Sequence, residues 1–281
     1  MSGQKAAMSL LVKLAVFALC AYAAILLAAY LGQRRLMYFP DRAYTRPAEV
    51  GLPDVEERVL KTPDGARVIT WYGKAQPGKP TLLYFHGNAG SLAVRAERIR
   101  RFMNEGWGVC MMSYRGYSGS KGSPTETANV ADARLAYGAL VQEGVDPASI
   151  ILYGESLGSG VAVRLATERP TGGLILDAPY TSILEVAAQA YPFLPVRYFL
   201  KDRYESRNYI GQVRTPLLIL HGELDPVIPV AMGRELLQLA NEPKRLVTFP
   251  FAGHSNIYVD GNPALDAVRA WVGELKLPKL N

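Results

Sequence analysis

Apolar and polar positions fall into three regimes along the chain. Residues 14–33 form an uncharged, mostly apolar run between Lys13 and the pair Arg34 and Arg35. As a helix rising 1.5 Å per residue, such a run spans about 30 Å, the hydrocarbon thickness of a bilayer. Residues 55–61 then alternate apolar and polar side chains, Pro63-Asp64-Gly65 marks a turn, and residues 66–72 are again rich in β-branched and aromatic types. That pattern predicts a β-hairpin. From residue 81 onward short continuous apolar runs (81–85, 109–112, 150–153, 174–176, 217–220 and 246–249) alternate with amphipathic stretches near 91–104, 125–142, 157–168, 230–240 and 263–275. Uninterrupted apolar strands separated by helices predict parallel βαβ units in a sheet covered on both faces. Ser123-Pro124-Thr125-Glu126 reads as a helix start, with Ser123 as cap, Pro124 at the first position and Glu126 reaching back.

The N-terminal run admits two readings. A cleaved signal peptide has an apolar core of about 7 to 15 residues ending at a small-x-small site, and Ala21-Tyr22-Ala23 resembles one. Apolar sequence continues well past it, so the length argues for an uncleaved transmembrane helix over 14–33, with 1–13 as a short tail and 34–54 as a linker. Lys5, Lys13 and the amino terminus oppose four arginines on the other flank. The flanks therefore define a single-pass membrane segment without selecting its orientation.

At 281 residues, with 49% hydrophobic and 20% charged side chains, the chain accommodates one packed domain beside that segment. The formal charge of +6 is concentrated at the front, where residues 1–50 hold six basic and two acidic side chains. The remaining 25 basic and 23 acidic residues leave no electrostatic footprint for a nucleic-acid partner. Cys20 and Cys110 suggest neither a disulfide framework nor a metal site. No cofactor is expected, since the Gly-rich loops do not match a phosphate-binding fingerprint.

In parallel sheets ligands sit at the carboxyl ends of the strands, so residues following each apolar run come first in a search for chemistry. After the run 150–153 stands Gly154-Glu155-Ser156-Leu157-Gly158, followed directly by a helix. This is a G-x-S-x-G elbow in its strand–turn–helix context, with Ser156 as candidate nucleophile. The plain alternative is a serine that caps the next helix. A partner acid and base should follow in the order Ser, Asp or Glu, His. His86 precedes the serine and His221 precedes the candidate acid, which leaves His254 as base. Asp225, after the run 217–220, is the candidate acid that would fix the imidazole tautomer; Glu223 and Asp177 are rivals, and Asp225 could instead cap a helix. For the oxyanion of a tetrahedral intermediate, the Leu157 amide opens the elbow helix. A second amide is expected from the loop His86-Gly87-Asn88-Ala89-Gly90, assigned to Asn88 with Gly87 and Ala89 as alternatives.

Tyr84-Phe85-His86-Gly87-Asn88-Ala89-Gly90, Tyr114-Arg115-Gly116-Tyr117, the Ser156 elbow, His221-Gly222-Glu223-Leu224-Asp225 and Gly253-His254 together resemble the membrane-tethered α/β-hydrolase-domain serine hydrolases. The resemblance covers about residues 55–275, and the anchor followed by Arg35-Leu36-Met37-Tyr38-Phe39-Pro40 is similar to that branch as well. It implies an α/β-hydrolase fold: a mostly parallel central sheet flanked by helices over 55–281, with an N-terminal transmembrane helix. That branch includes depalmitoylases and lipid hydrolases. Ser113 and Ser118 depart from its usual Asp and Gly, outside the Ser156, Asp225 and His254 set. Arg115 reads as an ion-pair partner rather than a substrate binder.

The connection between residues 176 and 217 is longer than a normal βα link, which predicts a small cap over about 180–213. Its aromatics, Tyr180, Tyr191, Phe193, Tyr198, Phe199 and Tyr204, are candidates both for an acyl pocket and for packing the cap onto the sheet. The expected activity is cleavage of carboxylic esters or thioesters through an acyl-Ser156 intermediate, on small-molecule or lipidated substrates near a membrane. A serine peptidase of the same fold, and a membrane-anchored binding protein with a degenerate site, are the alternatives.

Overall fold

The apolar runs 81–85, 109–112, 150–153, 174–176 and 217–220 are strands covered on both faces, which is why they read as continuous rather than alternating, while 246–249 lies in a half-buried edge strand. The computed structural model describes residues 2–259 and 263–278. In chain order the elements are α1 (Ser2–Met37), β1 (Phe39–Pro40), β2 (Glu56–Lys61), β3 (Arg67–Gly73), β4 (Thr81–Phe85), β5 (Ala89–Gly90), α2 (Ala96–Asn104), β6 (Gly108–Met112), α3 (Glu126–Gln142), β7 (Ile150–Glu155), α4 (Leu157–Ala166), β8 (Gly173–Asp177), α5 (Ile183–Ala190), α6 (Val196–Phe199), β9 (Leu217–Gly222), α7 (Val230–Leu239), β10 (Lys244–Phe249) and α8 (Pro263–Glu274). Short 3-10 turns separate several of them.

Eight strands form one sheet in the order β10-β9-β8-β7-β4-β6-β3-β2. Pairings from β10 through β6 are parallel, while β3 runs antiparallel to both β6 and β2. Along β4 and β7 the side chains alternate between two cores. Leu83, Phe85 and Leu152 face α3, α4 and α7, where Ala133, Val161 and Leu236 pack. Leu82, Tyr84 and Ile151 face α2 and α8, where Ile99, Phe102 and Val268 pack. This is the α/β-hydrolase fold.

Two local features differ from expectation. The stretch near 91–104 divides into a 3-10 turn at Ala93–Arg95 and then α2. The start of α3 is capped by Thr125, whose Oγ1 accepts from the Ala128 amide at 3.0 Å, so Ser123 and Pro124 lie outside the helix. Glu126 is diverted from capping because its Oε2 accepts the amides of Arg203 and Tyr204 at 2.8 and 3.0 Å. The acid that looked like a helix signal instead ties the segment between β8 and β9 to the body.

That segment carries α5 and α6, whose apolar cluster of Leu184, Val196 and Leu200 packs against Met37 at the end of α1. Helix α1 is long and apolar enough to cross a bilayer. The two-residue strands β1 and β5 pair in parallel, linking the chain just after α1 to the loop after β4.

Candidate active site

The elbow between β7 and α4 forces Ser156 into the left-handed region, at φ 49° and ψ −114°. Its amide donates to the Asp177 carbonyl at 2.8 Å, fixing the turn to β8. The glycines are required by contact: a Cβ on Gly158 would lie 2.0 Å from the Phe85 carbonyl oxygen, and one on Gly154 would lie 2.6 Å from the Gly158 oxygen. Backbone on both sides leaves no room to relax.

Ser156, His254 and Asp225 meet at the strand ends. His254 Nε2 stands 2.9 Å from Ser156 Oγ, and His254 Nδ1 stands 2.7 Å from Asp225 Oδ2. Burial pushes the Asp225 carboxyl upward, but the His221 ring 3.6 Å away and the hydrogen bonds from His254 and the Ile228 amide outweigh it and hold the group well below the usual carboxylate range. An ionised carboxylate has no proton to give, so Nδ1 carries the hydrogen and Nε2 is left as acceptor for the serine. Asp225 Oδ1 also accepts the Val227 and Ile228 amides, each at 2.8 Å, so the carboxylate orders the turn into α7 while it holds the imidazole. Burial opposes protonation of His254, yet the Asp225 hydrogen bond and charge, with Asp177 and Glu155 adding, raise its pKa above the ordinary histidine value.

The two other histidines are structural. His221 lies in β9 with Nε2 2.8 Å from the Ile228 carbonyl. His86 is fully buried, and burial pushes its pKa down to about 3, so the ring is neutral. Its Nδ1 donates to the Gly87 carbonyl at 2.7 Å, while Nε2 accepts from the Tyr114 amide at 3.4 Å. Because a peptide is planar and trans, fixing the Gly87 carbonyl toward His86 turns the Asn88 N–H the opposite way. The remaining groups of Asn88 are engaged: its carbonyl accepts from Phe39 N and Tyr117 Oη, and its Nδ2 donates to the Met37 carbonyl. The Leu157 amide lies among the unpaired N–H groups that open α4. Of the rival acids, Glu223 pairs with Arg234 at the surface.

Two cavities join at Ser156 and His254. One, of about 380 Å³, is the more polar of the two, with Arg95, Arg98 and Glu155 in its wall. The other, of about 420 Å³, is apolar and bounded by α1, the cap and Val227–Ile228. Among the cap aromatics, Tyr191 and Phe199 line it; Tyr180 and Tyr204 are buried in the core, and Phe193 and Tyr198 face outward. Most of the lining is aliphatic.

The sequence reading passed over the ion network under the polar cavity. Glu155, inside the elbow motif, accepts from Arg95 through Nε and Nη2, both at 3.1 Å, and from Tyr84 Oη at 2.6 Å. Arg98 Nη1 reaches Asp177 Oδ2 at 3.2 Å. Burial raises the Glu155 carboxyl, but the two arginines outweigh it and hold the group ionised. Asp177 is pushed up to about 6 by burial, with Arg98 opposing and Glu155 adding. The available signal was the arginine pair at i, i+3 at the start of α2, on the side of the sheet where Glu155 emerges. Arg115 forms ion pairs with the buried Asp132 and with Asp64. Among the described residues no cluster of three or more His, Cys, Asp or Glu side chains is arranged to hold a metal ion.

The class this fold defines is the α/β hydrolase. The family described as serine aminopeptidase, S33, matches residues 76–200. An uncharacterised protein of Mycobacterium tuberculosis is 42% identical over 246 residues, covering 86% of this chain and 88% of that one. The α/β-hydrolase domain-containing protein WAV2 of Arabidopsis thaliana is 30% identical over 257 residues, covering 82% and 83%. An esterase of Pyrococcus furiosus superposes with a TM-score of 0.67 at 19% identity, covering 85% of this chain and 97% of that one. The chain belongs to the α/β-hydrolase-domain family of serine hydrolases.

Proposed function

We propose that the protein is an esterase or thioesterase that forms an acyl-Ser156 intermediate on substrates with an apolar acyl chain, and that residues 14–33 tether it to a membrane. The observation that carries this reading is the hydrogen-bonded series Asp225–His254–Ser156 at the floor of an apolar cavity. Ser156 Oγ attacks the carbonyl carbon as His254 Nε2 takes its proton, and Asp225 stabilises the imidazolium. The Leu157 and Asn88 amides receive the oxyanion. His254 then returns the proton to the departing alcohol or thiol. A water, deprotonated by the same imidazole, releases the acid.

The description of the matched family favours a second reading, an aminopeptidase. Such an enzyme must bind a substrate ammonium group near the nucleophile. Glu155 and Asp177, the carboxylates beside the polar cavity, are already paired with Arg95 and Arg98, so neither is free to receive an ammonium. Turnover of acyl esters, acyl thioesters and aminoacyl peptides by full-length protein separates the readings. The expected result is hydrolysis of an ester or thioester, lost in Ser156→Ala; peptide cleavage without ester cleavage contradicts it.

A further inference from the structure

Helix α1 does more than end at the domain: its last turns belong to the wall of the apolar cavity. Ala29, Gln33, Leu36 and Met37 line the same space as Ser156 and His254. These turns are held in place by specific bonds. Gln33, a polar residue only 7% exposed at the end of the helix's uncharged run, accepts the Lys201 amide at 2.7 Å and donates to the Phe199 carbonyl at 3.3 Å. Arg34 pairs with Asp202 at 2.9 Å, and Tyr38 Oη lies 3.0 Å from Tyr204 Oη. The Met37 carbonyl and the Phe39 amide both bond to Asn88, in the loop after β4. Further up, Tyr22 donates to the Phe193 carbonyl at 2.9 Å, placing the cap tip beside the apolar part of the helix. Fifteen residues separate Tyr22 from Met37, a rise of about 22 Å. At that tip Phe193 is 64% exposed, and Tyr198, also on the cap, is 90% exposed, aromatic groups of the kind that settle at a membrane–water boundary.

We infer that the last two turns of α1 are a specificity-determining part of the substrate site: a long acyl chain reaches Ser156 from the bilayer along this helix, and Ala29 and Leu36 set the acyl length accepted. The inference rests on the acyl-Ser156 reading above. A chain lying there meets aliphatic side chains of α1 on one side and of α5 on the other, so it is removed from lipid without meeting water.

The test uses full-length protein in phosphatidylcholine nanodiscs, with p-nitrophenyl butyrate and palmitate as substrates and active sites counted by fluorophosphonate labelling. Ala29→Phe and Leu36→Trp, which fill the cavity from the helix side, are expected to lower the palmitate-to-butyrate ratio of kcat/KM at least tenfold. Leu27→Trp adds the same bulk to the same helix outside the cavity and is expected to leave the ratio within twofold. Leu36→Ala, which opens the wall and carries no risk of overpacking, is expected to move the optimum toward longer or branched acyl groups. Ratios unchanged in all three lining variants, or an equal fall in Leu27→Trp, overturn the inference while leaving the esterase reading intact. A wild type that hydrolyses neither ester overturns both.

Discussion

The polar and apolar cavities that meet at Ser156 are built on opposite terms. On the polar side the ionisable groups are fixed by partners on the sheet rim, on α2 and in the turns before α2 and α7: Glu155 by Arg95 and Tyr84, Asp177 by Arg98 and Tyr153, Asp225 by His254 and two amides. On the apolar side the walls are α5 and α6, of eight and four residues, and the end of α1, joined by a few bonds through Gln33, Arg34 and Glu126. Charges in a low dielectric tolerate little misplacement, whereas aliphatic walls change shape at modest cost. On the proposed function, the chemistry falls to the ion-paired side and selection to the aliphatic side.

Substitutions can break this contrast, and the largest effects belong to the rigid side. His254→Ala is expected to reduce kcat by on the order of 10⁶, and Asp225→Asn by roughly 10⁴ through the wrong imidazole tautomer, in steady-state ester hydrolysis. Losses below a hundredfold in both would mean the polar side is not the reacting side. Glu155→Gln leaves Arg95 and Arg98 short of a counter-charge and is expected to cost about 3 kcal/mol of stability, read by denaturant unfolding. On the adjustable side, Leu194→Ala enlarges the cap wall and is expected to change kcat/KM for a long acyl ester by roughly tenfold while the unfolding midpoint moves little. A large stability loss there would show the cap to be as rigid as the rim.

The smallest expected effect is one of pH. His254 must be neutral to accept the serine proton, so kcat/KM falls tenfold per unit as pH drops below a midpoint lying above the ordinary histidine value. Asp177 contributes to that elevation, so Asp177→Asn is expected to move the midpoint downward. An unmoved or rising midpoint would remove Asp177 from the electrostatics of the site.

The same contrast governs what the sequence made legible. The strand and helix alternation could be read because short apolar runs bounded by turn residues stand apart from the amphipathic stretches, and a parallel sheet covered on both faces follows from it; the α/β-hydrolase fold is what the resemblance of the motifs implies. Ser156, Asp225 and His254 could be singled out because each follows a strand in contiguous motif context. Of the apolar cavity only the cap wall could, through the long connection between residues 176 and 217 and its aromatics Tyr191 and Phe199; the parts from α1 and the turn before α7 could not, since those segments lie far apart in sequence with no shared period. Gln33 is the last residue of the uncharged run 14–33, and only its bonds to Phe199 and Lys201 show that it docks the helix. Glu126 looked like a capping residue because a local signal is the same whether the carboxylate turns back on its own helix or outward to Arg203 and Tyr204. The pairing of β1 with β5 involves two residues on each strand, too few to carry a pattern.

The proposed activity turns on one covalent bond, from an acyl group to Ser156 Oγ. Rapid mixing of the full-length protein with a p-nitrophenyl acyl ester, followed by acid quench and peptide mass analysis, reads it directly. The expected result is a burst of nitrophenol with the acyl mass on the peptide holding Ser156, absent in Ser156→Ala. Steady turnover with no acyl-protein at any time, or an acyl group on another residue that survives in Ser156→Ala, would contradict it.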